Sequence, residues 1–258
     1  MPPATTLERP LHMTAQDADA TKALLVSYPK SGRTWLRYLF RLAAVDCYLT
    51  HAGFGSSPRN PNFGRPFGSV TGFGEIDRAI LLIRNPIDTA VSLYFQIHSR
   101  ELQGLANRLL YLPGPALTGR LPPRELVDFL RHPGFGVRKV CAFNRAWMDA
   151  VENDPRFVVV GYEELQTAPE LGFRTILTHL APDRSFDYSA LAEATSFSNM
   201  QKLEATTQDR TLKLGARPNE SRSRKVRRGK AKGYVDYLAP EICRELEAVS
   251  EEYGFPTR

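Results

Sequence analysis

The stretch Ala23-Leu24-Leu25-Val26-Ser27-Tyr28-Pro29-Lys30-Ser31-Gly32-Arg33-Thr34 constrains the fold of this chain more than any other segment. Its uninterrupted apolar start suits a strand buried on both faces. The chain then turns through proline, lysine, serine and glycine. Beyond the turn, Trp35, Leu36, Leu39, Phe40 and Ala43 return at helical spacing, so the segment reads as strand, tight turn, helix. Such a junction aims the first amides of a helix at the turn, where the helix dipole favours an anion. Gly32 lets the backbone approach a ligand closely, Ser31 and Thr34 add hydroxyls, and Lys30 adds a mobile charge. The logic is that of a P-loop, yet the order GxxxxGK(S/T) is absent. Lys30 precedes the glycine, and no residue is placed as a typical Mg²⁺ ligand. The expectation is a phosphate-bearing donor held without a metal. A plain strand–turn–helix junction with a surface lysine is the competing reading.

Two further units repeat the pattern. Ala79 to Ile83 is an apolar strand broken by Arg84-Asn85-Pro86. Asn85 is a good N-cap and Pro86 a good first helical residue, and Val91, Tyr94 and Phe95 then mark a helix face. A third strand, Phe157 to Val160, leads into Tyr162-Glu163-Glu164 and a helix carrying Leu171, Ile176, Leu177 and Leu180. More helices are predicted over 123–131, 138–151 and 239–253. Short apolar strands alternating with helices predict an α/β fold, a central parallel sheet flanked by helices with a P-loop-like phosphate-binding strand–turn–helix. A length of 258 residues with 42% hydrophobic content fits one domain, 21–258, behind a polar, flexible tail, 1–20. Residues 52 to 78, rich in Gly, Pro and Phe, form a long loop of the kind that often serves function.

The net charge of +6 makes an anionic partner plausible and leaves nucleic acid, membrane surface and polyanionic cofactor open. Cys47, Cys141 and Cys243 are odd in number and form no CxxC pair, which argues against a disulfide framework or zinc site and for a reducing compartment. Residues 1–21 lack an apolar signal core, and no apolar run approaches the roughly 20 residues of a membrane span. The chain is expected to be cytoplasmic.

Three segments resemble, in order, the nucleotide-binding motifs of sulfotransferases that use 3′-phosphoadenosine 5′-phosphosulfate (PAPS). Tyr28-Pro29-Lys30-Ser31-Gly32-Arg33-Thr34-Trp35 is similar to their 5′-phosphosulfate loop, YPKSGTTW, departing only at Arg33. Arg84-Asn85-Pro86-Ile87-Asp88-Thr89-Ala90-Val91-Ser92-Leu93-Tyr94 resembles the 3′-phosphate motif RxPxDxxVSxY. Arg227-Arg228-Gly229-Lys230 with Gly233 resembles the C-terminal RKGxxG loop, with Arg228 where the family has Lys and Tyr234-Val235 where it has Asp-Trp. The resemblance frames residues 23 to 253. It implies Lys30, Ser31, Gly32, Arg33, Thr34 and Trp35 around the 5′ end of PAPS. Arg84 and Ser92 would hold the 3′-phosphate, and Arg227, Arg228 and Gly229 would close over it. A strand-end ion pair with Asp88 is the other use for Arg84. The adenine contacts implied are Trp35, Tyr162 (in a segment resembling YEDL), and Thr195 and Phe197 (in one resembling TSFxxM). Core packing is the other reading of Trp35 and Phe197.

A sulfuryl transfer needs a base for the acceptor proton and a cation for the leaving phosphate. Lys30 serves the second need. Of five histidines, His12 lies in the tail, His179 in an apolar helical run and His132 in a His-Pro-Gly turn. His98 stands twelve residues past Pro86, roughly 18 Å up its helix. His51 remains, between the first two motifs, where many sulfotransferases carry a base; a loop histidine hydrogen-bonded to backbone is its other reading. The reaction implied is in-line transfer from PAPS to a hydroxyl or amine of a small-molecule or glycan acceptor. That acceptor would enter over residues 52–78 and 100–121, with Phe54, Phe63, Phe67 and Phe73 as a candidate apolar wall. The alternative is a P-loop-like nucleotide or small-molecule kinase, which would need Mg²⁺ and ATP. No nucleic-acid partner is expected, since base-reading motifs interleaved with aromatics are not evident.

Overall fold

The computed structural model describes residues 23–51, 76–98, 122–206 and 231–256. The tail 1–20, most of both acceptor segments, His12, and Arg227, Arg228 and Gly229 lie outside the described residues.

A four-stranded parallel sheet forms the centre, in the order β2-β1-β3-β4. Its strands are β1 (Ala23–Ser27), β2 (Cys47–Thr50), β3 (Arg78–Ile83) and β4 (Phe157–Gly161). The predicted strands are β1, β3 and β4; β2 adds an edge, and its Tyr48 is 50% exposed. Between and after the strands run α1 (Arg33–Leu42), α2 (Pro86–Gln96), α3 (Leu126–Arg131), α4 (Val137–Val151), α5 (Tyr162–Thr167), α6 (Pro169–Leu180), α7 (Tyr188–Ala194), α8 (Phe197–Thr206) and α9 (Pro240–Glu252). A 3₁₀ turn, Gly233–Asp236, precedes α9. Among the described residues no helix is long and apolar enough to cross a membrane.

The pleat of the sheet sorts its side chains into two cores. Leu24 and Val26 of β1 join Ala79 and Leu81 of β3 on one face, under α2, α3, α4 and α9. Ala23 and Leu25 join Ile80 and Leu82 on the other, under α1, α5 and α6. Both faces of the two central strands are therefore apolar, which is why these runs read as continuous rather than alternating. Each such Leu or Ile taken fully out of water contributes about 1.5–3 kcal/mol.

The chain passes from β1 to β2 on one side and returns to β3 on the other. In open α/β sheets ligands bind beyond the strand ends where the order reverses in this way. Here that point is the turn after β1.

Candidate active site

The register decides what meets at that edge. Val26 pairs with Thr50, Ser27 with Leu82 and Ile83 with Gly161. The turn after β1, His51 after β2, Arg84 after β3 and Tyr162 after β4 therefore leave the sheet at nearly one level. Four separate stretches of sequence supply one rim.

The turn 28–32 is held by the Ser31 N–H donating to the Tyr28 carbonyl at 3.3 Å. Lys30 and Gly32 both take left-handed backbone, with φ of 76° and 103°. A Cβ on Gly32 would sit 2.5 Å from Cδ2 of Tyr162, so only glycine fits above that ring. Gly32 is also the N-cap of α1, and no side chain among the described residues caps that helix. The first amides of a helix have no partner inside it, so an uncapped start leaves donors for an anion.

The start of α2 differs. Asn85 Oδ1 accepts from the N–H groups of both Ile87 and Asp88 at 3.0 Å, as the sequence predicted for its cap. Those amides are already used, so this edge offers a side chain instead. Arg84 donates through Nη1 to the Lys30 carbonyl at 2.9 Å, and its Cζ lies 4.5 Å from the Tyr162 ring centroid. This is a different engagement from the ion pair with Asp88, although the two charges still attract. Glu163 Oε1 accepts the Asn85 N–H at 3.0 Å and fixes the arginine's neighbour from the β4 side. Burial raises the Glu163 carboxyl above its usual range, against the pull of that amide and of Arg84.

The buried atoms without a hydrogen-bond partner among the described residues include the donors Ser31 Oγ, Trp35 Nε1 and Arg84 Nε at this rim, with Ser27 Oγ below them and the acceptor Asp88 Oδ2 beside Arg84. Leaving such groups unmade costs about 1–3 kcal/mol each, so their concentration at one rim fits an anionic, acceptor-rich ligand.

His51 Nδ1 lies 2.6 Å from the Ser27 carbonyl, at the foot of the turn. A carbonyl only accepts, so the neutral ring carries its proton on Nδ1 and its lone pair on Nε2. That is the tautomer a base on this edge requires.

A family model described as the sulfotransferase domain matches residues 77–253, more than half of the chain. The chain belongs to the sulfotransferase family. A sulfotransferase relative, cytosolic sulfotransferase 15 of Arabidopsis thaliana, is 22% identical over 270 residues, spanning 89% of this chain and 70% of the relative. The fold is shared with a mouse sulfotransferase solved with PAP, at TM-score 0.61 and 19% identity over 91% of this chain and 84% of that one. Retinol dehydratase, solved with androsterone and the inactive cofactor PAP, gives TM-score 0.57 and 17% identity over 91% and 81%.

In this sulfotransferase Arg33, Thr34, Trp35, Ser92, Thr195 and Phe197 are the other expected residues among the described ones. Trp35 packs edge-on against Tyr162 and Phe173, with centroids at 5.7 and 5.8 Å, and touches Met200 of α8. It is therefore a partly buried wall as well as a donor. Thr195 is buried, and its hydroxyl donates to the Leu191 carbonyl at 2.9 Å. Phe197, at the start of α8, is 39% exposed, so it is not a core residue. Ser92 is buried on α2, and Arg33 and Thr34 open α1. The other described histidines of the sulfotransferase bond to backbone groups outside the turn after β1. His98 Nδ1 is 2.9 Å from the Tyr94 carbonyl, His179 Nε2 is 2.9 Å from the Arg156 carbonyl, and His132 Nδ1 accepts the Gly134 N–H at 3.0 Å. Sequence reasoning missed Glu163 and the Ser27 carbonyl. Their roles depend on contacts 78 and 24 positions away, which no local pattern records.

Proposed function

We propose that the enzyme transfers the sulfuryl group of PAPS to a hydroxyl or amine of a small-molecule acceptor by direct in-line displacement, with adenosine 3′,5′-bisphosphate as the other product. The observation that carries this reading is the trio of unpartnered buried donors beside an uncapped helix start. The printed ligands of the two structural neighbours, PAP in both and androsterone in one, support the donor and the small-molecule acceptor class. A glycan acceptor fits the same chemistry. The name of the plant relative supports a cytoplasmic setting, and residues 21–258 act as one domain.

The turn 30–35 takes the 5′ end, through the amides opening α1, the Ser31 hydroxyl and the Lys30 ammonium. Arg84 and Ser92 take the 3′-phosphate, with Arg227, Arg228 and Gly229. Trp35, Tyr162, Thr195 and Phe197 flank the base. When bound, the donor supplies an activated sulfur whose bond to the 5′-phosphate oxygen breaks as a bond to the acceptor forms. His51 removes the acceptor proton at Nε2, the site its Ser27 contact leaves with the lone pair. Lys30 offsets the charge that gathers on the departing phosphate. Holding both partners in line converts two encounters into one, and the cations act where charge develops.

The test is sulfur-labelled PAPS with a panel of phenols, alcohols and sugars, run with wild type and His51→Ala. Label should pass to at least one acceptor. His51→Ala should lose about a hundredfold in turnover, within the range a general base contributes, while binding adenosine 3′,5′-bisphosphate nearly as wild type does. No transfer to any acceptor class, together with indifference to that nucleotide, would end the proposal. Near-normal turnover of the variant would remove His51 alone.

A further inference from the structure

Asp88 has no part in the steps above, yet it is the most engaged acid on that edge. It lies in the first turn of α2, four residues past Arg84, and is 4% exposed. Its Oδ1 accepts the Tyr234 N–H at 3.0 Å across 146 positions of sequence. Burial raises the Asp88 carboxyl above its ordinary value, against the pull of the Arg84 guanidinium and of the amides of Tyr234, Lys232 and Gly233. Its Oδ2 is buried without a hydrogen-bond partner. A Cβ on Gly233 would lie 3.6 Å from Oδ1, so the backbone passes directly over the carboxylate. The 3₁₀ turn Gly233–Asp236 is thereby capped from another helix, and Lys232 enters it with a left-handed φ of 54°. The turn is held from below as well. Tyr234 is fully buried and donates through its hydroxyl to Glu247 Oε1 at 2.6 Å, and Tyr237 packs 4.9 Å from Phe95 of α2.

A buried carboxylate is an expensive way to glue two elements together, because an apolar side chain would do so without the desolvation cost. What the carboxylate adds is direction, since it aims successive amides at one point beside Arg84. We infer that Asp88 is a positioning residue for 3′-phosphate recognition: by gripping the backbone of 232–234 it ties the C-terminal segment to the helix turn that follows Arg84. The inference rests on the donor reading above.

The experiment compares wild type, Asp88→Ala and Asp88→Asn by calorimetry with adenosine 3′,5′-bisphosphate and with AMP, and by donor kinetics. Wild type should prefer the bisphosphate by at least about tenfold, and Asp88→Ala should reduce that preference to about twofold. Its donor KM should rise about tenfold while kcat falls less than about threefold. Asp88→Asn keeps a carbonyl oxygen for the Tyr234 N–H and should keep most of the preference. A purely architectural residue would weaken both nucleotides alike and leave their ratio unchanged, and that result overturns the assignment. If Asp88→Ala does not fold, amide exchange in wild type decides. Exchange at Gly233 and Tyr234 should slow on adding the bisphosphate and not on adding AMP, and an equal response overturns the assignment. Wild type that fails to discriminate the two nucleotides overturns the donor reading itself, and this inference with it. That failure is seen without any variant, so the two are distinguishable.

Discussion

Lys30 holds a backbone conformation that a non-glycine residue adopts only at a cost of about 1–3 kcal/mol, with φ at 76°. The bond from Arg84 to its carbonyl holds the peptide there. Glu163 carries a second kind of cost. Burial is the largest influence on its carboxyl and raises it above the ordinary value of 4.5, with the Asn85 amide and Arg84 pulling the other way. A raised carboxyl binds its proton more tightly in the folded chain than in the unfolded one. Its contribution to stability is therefore complete below the ordinary value and is lost as pH rises through the raised one. Glu163→Gln keeps an oxygen for the Asn85 N–H and removes that titration. The melting temperature of the variant should gain on wild type as pH rises from about 4 to about 8. Parallel curves would show that the carboxyl is not held out of water as the geometry indicates.

The two helices that open at the rim are treated oppositely, and the difference assigns them different tasks. α1 starts on Gly32 with no side-chain cap, while α2 starts on an asparagine that takes two amides at once. Asn85→Ala should cost about 1–2 kcal/mol in chemical denaturation, and it should also weaken nucleotide binding because Arg84 is its covalent neighbour. Full affinity in the destabilised variant would separate cap from site. These two starts were legible in the sequence, since proline, glycine and asparagine act through local backbone rules. So were β1, β3 and β4 from their apolar runs, which reflect burial on both faces at β1 and β3, while edge strand β4 leaves Val159 42% exposed. β2 was not, because a short edge strand with Tyr48 in solvent has no such run. α7 escaped notice too, since none of its residues is fully buried. Asp88 and Glu163 show the remaining limit. Each acid is plain in the sequence, but its partner lies 146 or 78 positions away, and only the closed fold brings them together.

At the scale of the whole chain, the sheet divides the interior into two cores, and each holds one of the two tryptophans. Trp147 lies in the core under α2, α4 and α9, and Trp35 packs on the core under α1 and α6. Leu24 and Leu25, neighbours on β1, face opposite cores, so neither core can melt without disturbing the strand they share. Trp35→Phe and Trp147→Phe each leave one reporter. Urea unfolding followed by fluorescence should give midpoints that agree once each is referred to its own variant's loss by circular dichroism, as one cooperative unit requires. Separate transitions would divide the chain into two folding units.

From its place just after β3, Arg84 grips the β1 turn through the Lys30 carbonyl and leans on the β4 side through the Tyr162 ring. A receptor braced across three loops in this way is cut to shape before its guest arrives. Little conformational freedom is left to surrender on capture, so association should run at the pace set by diffusion and electrostatic steering, and a shift in affinity should show itself in how long the nucleotide stays.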